Sequence, residues 1–261
     1  MGATLLVTGG TGLLGSAFVA RAREAGYGVR IMSRRTRTPD VPPEDEWVQA
    51  DLTTGEGLEA AMKGVDVIMH AASASGFGNF KEVDEAGTRR LLEAASQAAV
   101  QHFIYPSIVG VDEIPLGYYA AKRRIETAVL ESNVPATVVR ATQFHAFVLR
   151  FIRMLGKSPV LFVPAGFLIQ SVCVEEFAAE LLARVEGEPA GRAPDVAGPE
   201  IMALAEMARV WAQTCHERRA VLGIPLPGET AKVFRAGGAT NPQRAVGQVR
   251  WQDWLQEATA Q

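Results

Sequence analysis

The chain has 261 residues, 48% of them hydrophobic, and a formal net charge of −3 at pH 7. This length allows one large domain, or one domain with an appendage, around a sizeable core. The small negative charge disfavours nonspecific binding to nucleic acid or to an acidic membrane surface. Cys173 and Cys215 have no metal-type spacing. We therefore expect two free thiols in a reducing cytosol and no metal site.

The N-terminal residues do not resemble a signal peptide, because a basic region is missing and the apolar stretch runs directly into glycines. The longest apolar region, residues 160–174, is interrupted by Pro164, Gly166 and Gln170. It is too short and too interrupted to span a bilayer, so we interpret it as buried strand and turn. The sequence predicts a soluble, cytoplasmic protein.

Short apolar runs alternate with helix-like stretches through the first half of the chain. Six strands are predicted in TLLVTG, YGVRIMSRR, WVQADL, DVIMHAAS, HFIYPSIVG and ATVVRAT. Helices are predicted over residues 13–25, LEAAMKG, residues 86–99 and residues 118–132. Strands that alternate with helices indicate right-handed crossovers and a parallel sheet. The predicted fold class is therefore α/β, a Rossmann-type doubly wound parallel sheet.

The pattern changes after about residue 144. Short strands are predicted in SPVLFVPAG and IQSVCV, and helices over residues 175–185, residues 203–213 and RWQDWLQEA. We interpret the stretch EGEPAGRAPDVAGPE as a surface loop. The stretch PLPGETAKVFRAGGATNPQ is predicted to be largely irregular. We predict a dinucleotide-binding core over residues 1–144. Residues 145–261 are predicted to form a small substrate-binding subdomain integrated with that core.

The stretch LLVTGGTGLLG, residues 5–15, contains two overlapping glycine patterns. Gly10, Gly12 and Gly15 spell G-x-G-x-x-G, the general dinucleotide fingerprint. Gly9, Gly12 and Gly15 spell G-x-x-G-x-x-G directly after Thr8. Both patterns predict the same structure, a sharp turn in which backbone N–H groups approach a pyrophosphate.

An amphipathic helix follows these glycines and includes Leu13 and Leu14 in its first turn. Its positive N-terminal end would face the phosphates. A buried strand before the glycines and a helix after them supply the structural context that the fingerprint requires.

The end of the second predicted strand indicates which nicotinamide cofactor is used. NAD-binding chains often place an acid there for the ribose 2′-hydroxyl, but this sequence reads Ser33-Arg34-Arg35. A hydroxyl and two guanidinium groups suit a 2′-phosphate. The sequence therefore favours NADP(H) over NAD(H); the alternative is that these arginines form a solvated turn.

A tyrosine and a lysine at helical spacing are the candidate catalytic pair. Tyr118 and Lys122 are four residues apart, which places them on one helix face. A nearby lysine cation lowers the high pKa of a tyrosine, so the phenol can give a proton to a carbonyl oxygen during hydride transfer. Ser107, at the end of the fifth strand, could hydrogen-bond the same oxygen. Tyr119 lies on another face and is the weaker candidate.

These motifs together resemble the short-chain dehydrogenase/reductase superfamily. The set comprises Thr8-Gly9-x-x-Gly12-x-x-Gly15, Asp51-Leu52, Ala71-Ala72-Ser73, Ser107 and Tyr118-x-x-x-Lys122. The spacing is similar to that of the extended and atypical branches, which include NmrA-like NAD(P)H-binding proteins and nucleotide-sugar epimerases. The resemblance covers most of the chain and is strongest in the first ~140 residues.

The resemblance implies further roles. Asp51 and Leu52 would lie beside the adenine, and Lys122 would hold the nicotinamide ribose hydroxyls. Ala71, Ala72 and Ser73 would line the ribose side of the cofactor. The residues after the sixth strand, Thr142, Gln143 and Phe144, would face the nicotinamide amide and the substrate.

Two departures from the family patterns affect the function. Extended epimerases commonly follow the sixth strand with Arg-Pro-Gly, whereas this chain reads Arg140-Ala141-Thr142, which argues against an epimerase. Redox-silent NmrA-like regulators have usually lost the tyrosine, whereas Tyr118 is present here, which favours an enzyme. Isoflavone-reductase-like members use a lysine differently, so Tyr118 need not be the acid.

Several other residues remain open. His145 could contact substrate or be a structural, hydrogen-bonded histidine. We interpret His70 as strand-end structure, and His102 and His216 as surface residues. Five phenylalanines in expected pocket loops could form an apolar wall for a flat substrate, or simply core: Phe77, Phe80, Phe144, Phe147 and Phe167.

The sequence predicts an NADP(H)-dependent oxidoreductase that reduces a small, apolar carbonyl compound. The runner-up is a redox-silent NAD(P)H-binding sensor, and a sugar-nucleotide epimerase or dehydratase comes third. We expect a small-molecule substrate, no nucleic-acid or membrane partner, and a monomer or homodimer.

Overall fold

A computed structural model describes residues 3–37, 45–74, 84–156 and 159–260. The strands are β1 Thr4–Thr8, β2 Gly28–Ser33, β3 Glu46–Gln49, β4 Val67–His70, β5 His102–Ile108, β6 Ala136–Ala141, β7 Val160–Pro164, β8 Leu168–Ile169, β9 Gly191–Arg192, β10 Met202–Ala203 and β11 Ala220–Ile224. The helices are α1 Leu13–Glu24, α2 Leu58–Met62, α3 Gly87–Gln97, α4 Gly117–Leu130, α5 His145–Met154, α6 Val174–Leu182, α7 Leu204–Thr214, α8 Glu229–Arg235 and α9 Trp251–Ala260. No helix within these described ranges has the length and apolar character needed to cross a membrane.

Seven strands form a parallel sheet in the order β3-β2-β1-β4-β5-β6-β9. The first six positions follow the doubly wound dinucleotide-binding order, so the predicted Rossmann-type α/β fold is confirmed. The direction of winding reverses between β1 and β4, where Thr8 pairs in register with His70. Ligands of such sheets bind beside the carboxyl ends of the strands at this reversal.

The chain divides into two compact units that are interleaved in sequence. The first contains residues 1–107, 121–139 and 178–193, and the second contains residues 108–120, 140–177 and 194–261. The division of the chain into residues 1–144 and 145–261 stays a prediction.

The core of the first unit is formed by buried strand residues and by the helices that cover them. Leu6, Ile68 and Phe103 come from the sheet, whereas Leu91 and Ile125 come from α3 and α4. The inward positions predicted for α3 are confirmed, since Leu91, Leu92 and Ala95 are buried.

The second unit has two small sheets, an antiparallel pair of β10 with β8 and a parallel pair of β11 with β7. Its core includes Ile152 from α5, Leu161 from β7, Trp211 from α7 and Trp251 from α9. The closing helix predicted in RWQDWLQEA is confirmed as α9.

Several sequence predictions in this second half are wrong. The stretch PLPGETAKVFRAGGATNPQ is not irregular, because it contains α8 and a 3₁₀ helix over Pro242–Arg244. The predicted loop EGEPAGRAPDVAGPE contributes β9 to the large sheet. Of the strand predicted in IQSVCV, residues 169–174, only Ile169 belongs to a strand, β8. Helix α5 and strand β11 were not predicted.

Candidate cofactor and active site

The glycine loop between β1 and α1 is a tight turn whose backbone atoms approach one another closely. Gly9 has a φ of +68°, and a Cβ there would lie 2.7 Å from the Ala72 backbone nitrogen. The Gly12 N–H donates to the Gly9 carbonyl at 2.8 Å, and a Cβ on Gly15 would overlap that same carbonyl. Gly9 and Gly15 therefore require glycine, whereas a Cβ on Gly12 would lie 3.2 Å from the Gly9 carbonyl, a tight contact.

The outer side of this loop is open to a ligand. Thr11, Gly12 and Leu13 are exposed, and Leu14 is half-buried. Helix α1 begins at Leu13. Because the first N–H groups of a helix have no intrahelical acceptors, this helix end can bind an anion.

A buried chain of hydrogen bonds lies under the loop. Thr8 Oγ1 is 2.6 Å from His70 Nδ1, and His70 Nε2 is 2.9 Å from Thr88 Oγ1. The Thr88 hydroxyl donates to the Asp84 carbonyl, and the Ala72 N–H donates to Thr8 Oγ1 at 3.2 Å. This chain joins the ends of β1 and β4 to the start of α3. The prediction that His70 is strand-end structure agrees with this position.

The segment after β2 carries the predicted 2′-phosphate residues. The Arg35 N–H donates to Ser33 Oγ at 3.1 Å. The Arg34 and Arg35 carbonyls accept hydrogen bonds from Gln49 Nε2 and Trp47 Nε1. Backbone contacts thus fix the turn while both arginine side chains are exposed.

Two acids near this segment are already paired. Asp45 accepts from Arg23 Nε at 2.7 Å, and Glu46 lies 2.8 Å from Arg30 Nη2. Within the described residues, neither Arg34 nor Arg35 has an ion-pair partner. Guanidinium groups of this kind can form charge-assisted hydrogen bonds with a phosphate.

The residues expected beside the adenine and ribose follow β3 and β4. Asp51 Oδ1 accepts from the Thr53 N–H at 2.7 Å and closes the turn after β3. Leu52 is buried, with its Cβ 3.0 Å from where a Cβ on Gly87 would lie. Ser73 Oγ donates to Asp84 Oδ2 at 2.8 Å.

The Ala71 N–H donates to the Thr8 carbonyl at 3.2 Å, which ties the segment after β4 to β1. Phe77 and Phe80, two of the candidate pocket residues, lie outside the described residues.

Ser107 and Lys122 both lie in the first unit. Ser107, near the end of β5, is buried, and among the described residues its Oγ has no hydrogen-bond partner. Lys122 is also buried, and its Nζ donates to the Pro106 carbonyl at 3.4 Å. A buried hydroxyl without a partner is costly unless a ligand completes it, so Ser107 is a good candidate for substrate binding.

Tyr118 and Tyr119 lie in the second unit, at the start of α4. Tyr118 is half-buried and packs with an apolar cluster that includes Val233 and Phe234 of α8. Tyr119 is buried, accepts a hydrogen bond from Gln143 Nε2 at 3.2 Å, and has its pKa raised to about 12, mainly by burial. These properties agree with the prediction that Tyr119 is the weaker proton donor.

The segment after β6 is buried. Thr142 Oγ1 accepts from the Gly198 N–H at 3.2 Å, and the rings of Phe144 and Phe177 are 5.7 Å apart. Within the described residues, Gln143 Oε1 is buried without a hydrogen-bond partner. Gln143 can therefore accept a hydrogen bond from a ligand.

His145 uses both ring nitrogens within the second unit. Nδ1 lies 2.7 Å from Ser171 Oγ, and Nε2 lies 3.0 Å from the Val249 carbonyl, which can only accept. Burial lowers its pKa to about 4, so the ring is neutral at pH 7. Of the two interpretations left open by the sequence, the contacts favour the structural one.

The other predictions on histidines and phenylalanines had mixed outcomes. His102 is not on the surface: it is buried, with Nε2 2.7 Å from Thr137 Oγ1. His216 is exposed as expected. Phe147 is 58% exposed, whereas Phe167 stacks on Phe234 with ring centroids 4.8 Å apart.

The described residues fit a nicotinamide dinucleotide. A Cβ would fill the space beside Gly9, the end of α1 is open, and Arg34 and Arg35 are available for a phosphate. Residues 9–146, more than half of the chain, match the NAD(P)H-binding family. The chain belongs to this NAD(P)H-binding family. This match confirms the predicted resemblance at the level of the NAD(P)H-binding family, and a solved short-chain dehydrogenase/reductase superfamily protein that is 19% identical has a similar fold.

Three relatives illustrate the range of this oxidoreductase-like family. The chain is 34% identical to the photosystem II assembly factor Ycf39 of Trieres chinensis over 149 residues, covering 54% of this chain and 46% of Ycf39. It is 30% identical to ceramide reductase of Caulobacter vibrioides over 190 residues, covering 68% of this chain and 59% of the reductase. The chain therefore spans about half of the length of these curated relatives.

The third relative is a solved structure, the NADPH-dependent quinone oxidoreductase QOR2 of Escherichia coli complexed with NADPH. It has a TM-score of 0.80 and 18% sequence identity, covering 98% of this chain and 99% of that one. At this level of identity the likeness concerns the fold.

Proposed function

We propose that this NAD(P)H-binding protein is an NADP(H)-dependent oxidoreductase that reduces a small, apolar carbonyl compound. The observation that carries the proposal is the one-turn spacing of Tyr118 and Lys122 on α4, in a chain whose Ser107 hydroxyl is buried without a described partner. Each of the three residues has a role that its chemistry supports.

The Tyr118 phenol donates its proton to the carbonyl oxygen of the substrate, and solvent later restores that proton. The Lys122 ammonium stabilises the phenolate that forms, which lowers the pKa of Tyr118 toward neutrality. The Ser107 hydroxyl donates a hydrogen bond that orients the same oxygen. The bound nicotinamide cofactor supplies the hydride that reduces the carbonyl carbon.

An apolar substrate is supported by the surroundings of Tyr118 in the second unit. Its cluster consists of Val111, Ile114, Val233 and Phe234 together with Ile108, Tyr119 and Ala239. Apolar side chains of this kind can contact the apolar part of a substrate. The name of the ceramide reductase relative supports a carbonyl of apolar character.

The Ser33-Arg34-Arg35 segment supports NADP(H) as the cofactor. Both guanidinium groups are exposed, and the carbonyls of the turn that carries them accept hydrogen bonds from the side chains of Trp47 and Gln49. A 2′-phosphate would gain charge-assisted hydrogen bonds at this segment.

A second candidate function is a redox-silent NAD(P)H-binding protein that acts through protein contacts. The similarity to an assembly factor, Ycf39, favours this alternative. It requires the same cofactor-binding residues but assigns no proton transfer to Tyr118.

Turnover measurements separate the two functions. The protein is mixed with NADPH and a panel of quinones, ketones and aldehydes, and the loss of nicotinamide absorbance is followed. We expect Tyr118→Phe to lower turnover by about 10²–10⁴-fold while NADPH binding is retained. Tyr119→Phe is the matched control and keeps most of the turnover. Tight NADPH binding without turnover of any compound would support the redox-silent alternative.

A further inference from the structure

Tyr105, a residue without a role in the preceding proposal, faces the candidate lysine. It lies on β5 and is 1% exposed. The Lys122 Nζ is 4.7 Å from the centroid of the Tyr105 ring. The ring also stacks on His70, with centroids 5.9 Å apart and an angle of 29° between the planes. All three residues belong to the first unit.

The contact matters because the Lys122 ammonium is buried. Moving an ammonium out of water is costly unless other groups replace its solvation. The groups around this ammonium include the Pro106 carbonyl, at 3.4 Å, and the face of the Tyr105 ring. The negative face of an aromatic ring attracts a cation more strongly when both are desolvated, and it requires no particular N–H group of the ammonium.

His70 helps to fix the position of the Tyr105 ring. Its imidazole is bound at Nδ1 by Thr8 and at Nε2 by Thr88. The hydrogen bonds at both ring nitrogens fix the imidazole without help from any other ring. The Tyr105 ring that faces Lys122 therefore packs against a group whose position is determined by hydrogen bonds.

We propose that Tyr105 is a positioning residue for Lys122: its ring face holds the ammonium where it can bind the cofactor ribose and stabilise the Tyr118 phenolate. This inference rests on the proposed function for the role of Lys122 toward Tyr118. The effect of Tyr105 on cofactor binding, through the position of Lys122, is independent of whether turnover occurs. The imidazole contacts the same ring but stays neutral, because burial, together with the nearby Lys122, lowers the pKa of His70 to about 3.

Three variants test this role. Tyr105→Phe keeps the ring face, Tyr105→Leu removes it, and Phe103→Leu removes an equally buried ring from the same strand. We expect Tyr105→Leu to raise the Kd for NADPH about tenfold, equivalent to roughly 1.4 kcal/mol. Tyr105→Phe is expected to remain within about threefold of the parent protein, and Phe103→Leu likewise.

The pH profile of carbonyl reduction gives a second readout. The alkaline limb reports deprotonation of the donor, Tyr118, because only the phenol form can supply the proton. When the ammonium is displaced, the pKa of Tyr118 rises, so the alkaline limb of Tyr105→Leu moves to higher pH and kcat falls. A merely structural loss lowers stability without moving this limb, which is the result expected for Phe103→Leu.

An unnatural residue covers the case in which Tyr105→Leu fails to fold. Trifluorophenylalanine at position 105 keeps the ring shape but weakens its negative face, and it should raise the NADPH Kd relative to phenylalanine. Equal NADPH Kd values for these two rings would overturn the proposal. So would equal effects of Tyr105→Leu and Phe103→Leu on both readouts. If no substrate is turned over, the Kd comparison still tests the position of Lys122, and only the proposed function fails.

Discussion

The hydroxyl of Thr8 donates a hydrogen bond to Nδ1 of His70 across the reversal point of the sheet, at 2.6 Å. The direction of this hydrogen bond follows from the hydrogen bonds on the other side of the imidazole. The Asp84 carbonyl can only accept, so Thr88 donates to it and accepts from His70 Nε2–H. Nδ1 then carries no hydrogen. The Thr8 hydroxyl is therefore both a donor to His70 and the acceptor for the Ala72 N–H.

Removing this hydroxyl should destabilise the protein. Thr8→Val keeps the shape but leaves His70 Nδ1 and the Ala72 N–H without their partner, so we expect a loss of about 1–3 kcal/mol in the free energy of unfolding. Urea denaturation measures this loss. Thr8→Ser retains the hydroxyl and should cost less. An unchanged unfolding midpoint for Thr8→Val would contradict the assigned hydrogen bonds.

Stability should depend on pH through the buried histidines. The folded-state pKa of His70 is lowered to about 3, below the ordinary value of 6.5, so below pH 6.5 the unfolded chain binds a proton that the folded protein excludes. The contribution of neutral His70 is fully present above pH 6.5 and is lost as the pH falls toward 3. The pKa of His145 is lowered to about 4, and the pKa of His102 is also lowered by burial, so both add in the same direction.

The free energy of unfolding should fall by up to about 1.4 kcal/mol per pH unit for His70 and for His145. Urea denaturation between pH 7.5 and pH 4.5, roughly the range in which histidines of the unfolded chain take up protons, measures the slope. Replacing exposed His216 with Gln provides a control and should leave the slope unchanged. A flat profile over this interval would show that the buried histidines titrate normally.

The cofactor preference should depend on the two exposed arginines after β2. Replacing both Arg34 and Arg35 with Ala should raise the Kd for NADPH about tenfold or more, because charge-assisted hydrogen bonds to the 2′-phosphate are lost. The Kd for NADH should change little. Replacing both Arg209 and Arg218 with Ala, which removes two exposed arginines from the second unit, is the control for net charge. Equal changes for both cofactors would instead indicate a solvated turn.

Two buried serines should respond differently to loss of their hydroxyls. Ser107 Oγ has no partner within the described residues, whereas Ser171 Oγ is 2.7 Å from His145 Nδ1. Ser107→Ala should therefore leave the thermal midpoint unchanged or higher, and Ser171→Ala should cost about 1 kcal/mol. Only Ser107→Ala is expected to lower turnover, by about 10²-fold. A marked loss of stability in Ser107→Ala would mean that its hydroxyl has a structural partner.

The first half of the chain is predictable because its signals are local. Most strands from β1 to β6 contain apolar runs that end near a glycine or a polar turn, which is typical of parallel sheets; β3, with the sequence EWVQ, is the exception. The glycine loop can be predicted because three glycines of the motif, Gly9, Gly12 and Gly15, lie within seven residues of sequence. His102 was misjudged, since its burial depends on Thr137 of β6, which is distant in sequence.

The second half lacks such local signals. Helix α5 follows β6 directly and starts after Phe144, which makes no side-chain cap hydrogen bond. Strand β11 pairs with β7, about sixty residues earlier, and its side chains are mostly exposed. Helix α8 is short and follows the stretch PLPG, whose prolines and glycine are typical of a loop.

The two outermost strands of the large sheet also affect the tendency of this protein to aggregate. β3 has four residues and β9 has two, so each edge offers only a short row of unpaired backbone groups to another chain. β9 covers part of β6, whose six residues are all buried, through pairing of Thr137 with Gly191 and Val138 with Arg192. Without residues 191 and 192, β6 would be the open edge of the sheet. Chains truncated between β6 and β9 should therefore self-associate through that edge, whereas the full chain is protected from this association by a strand of two residues.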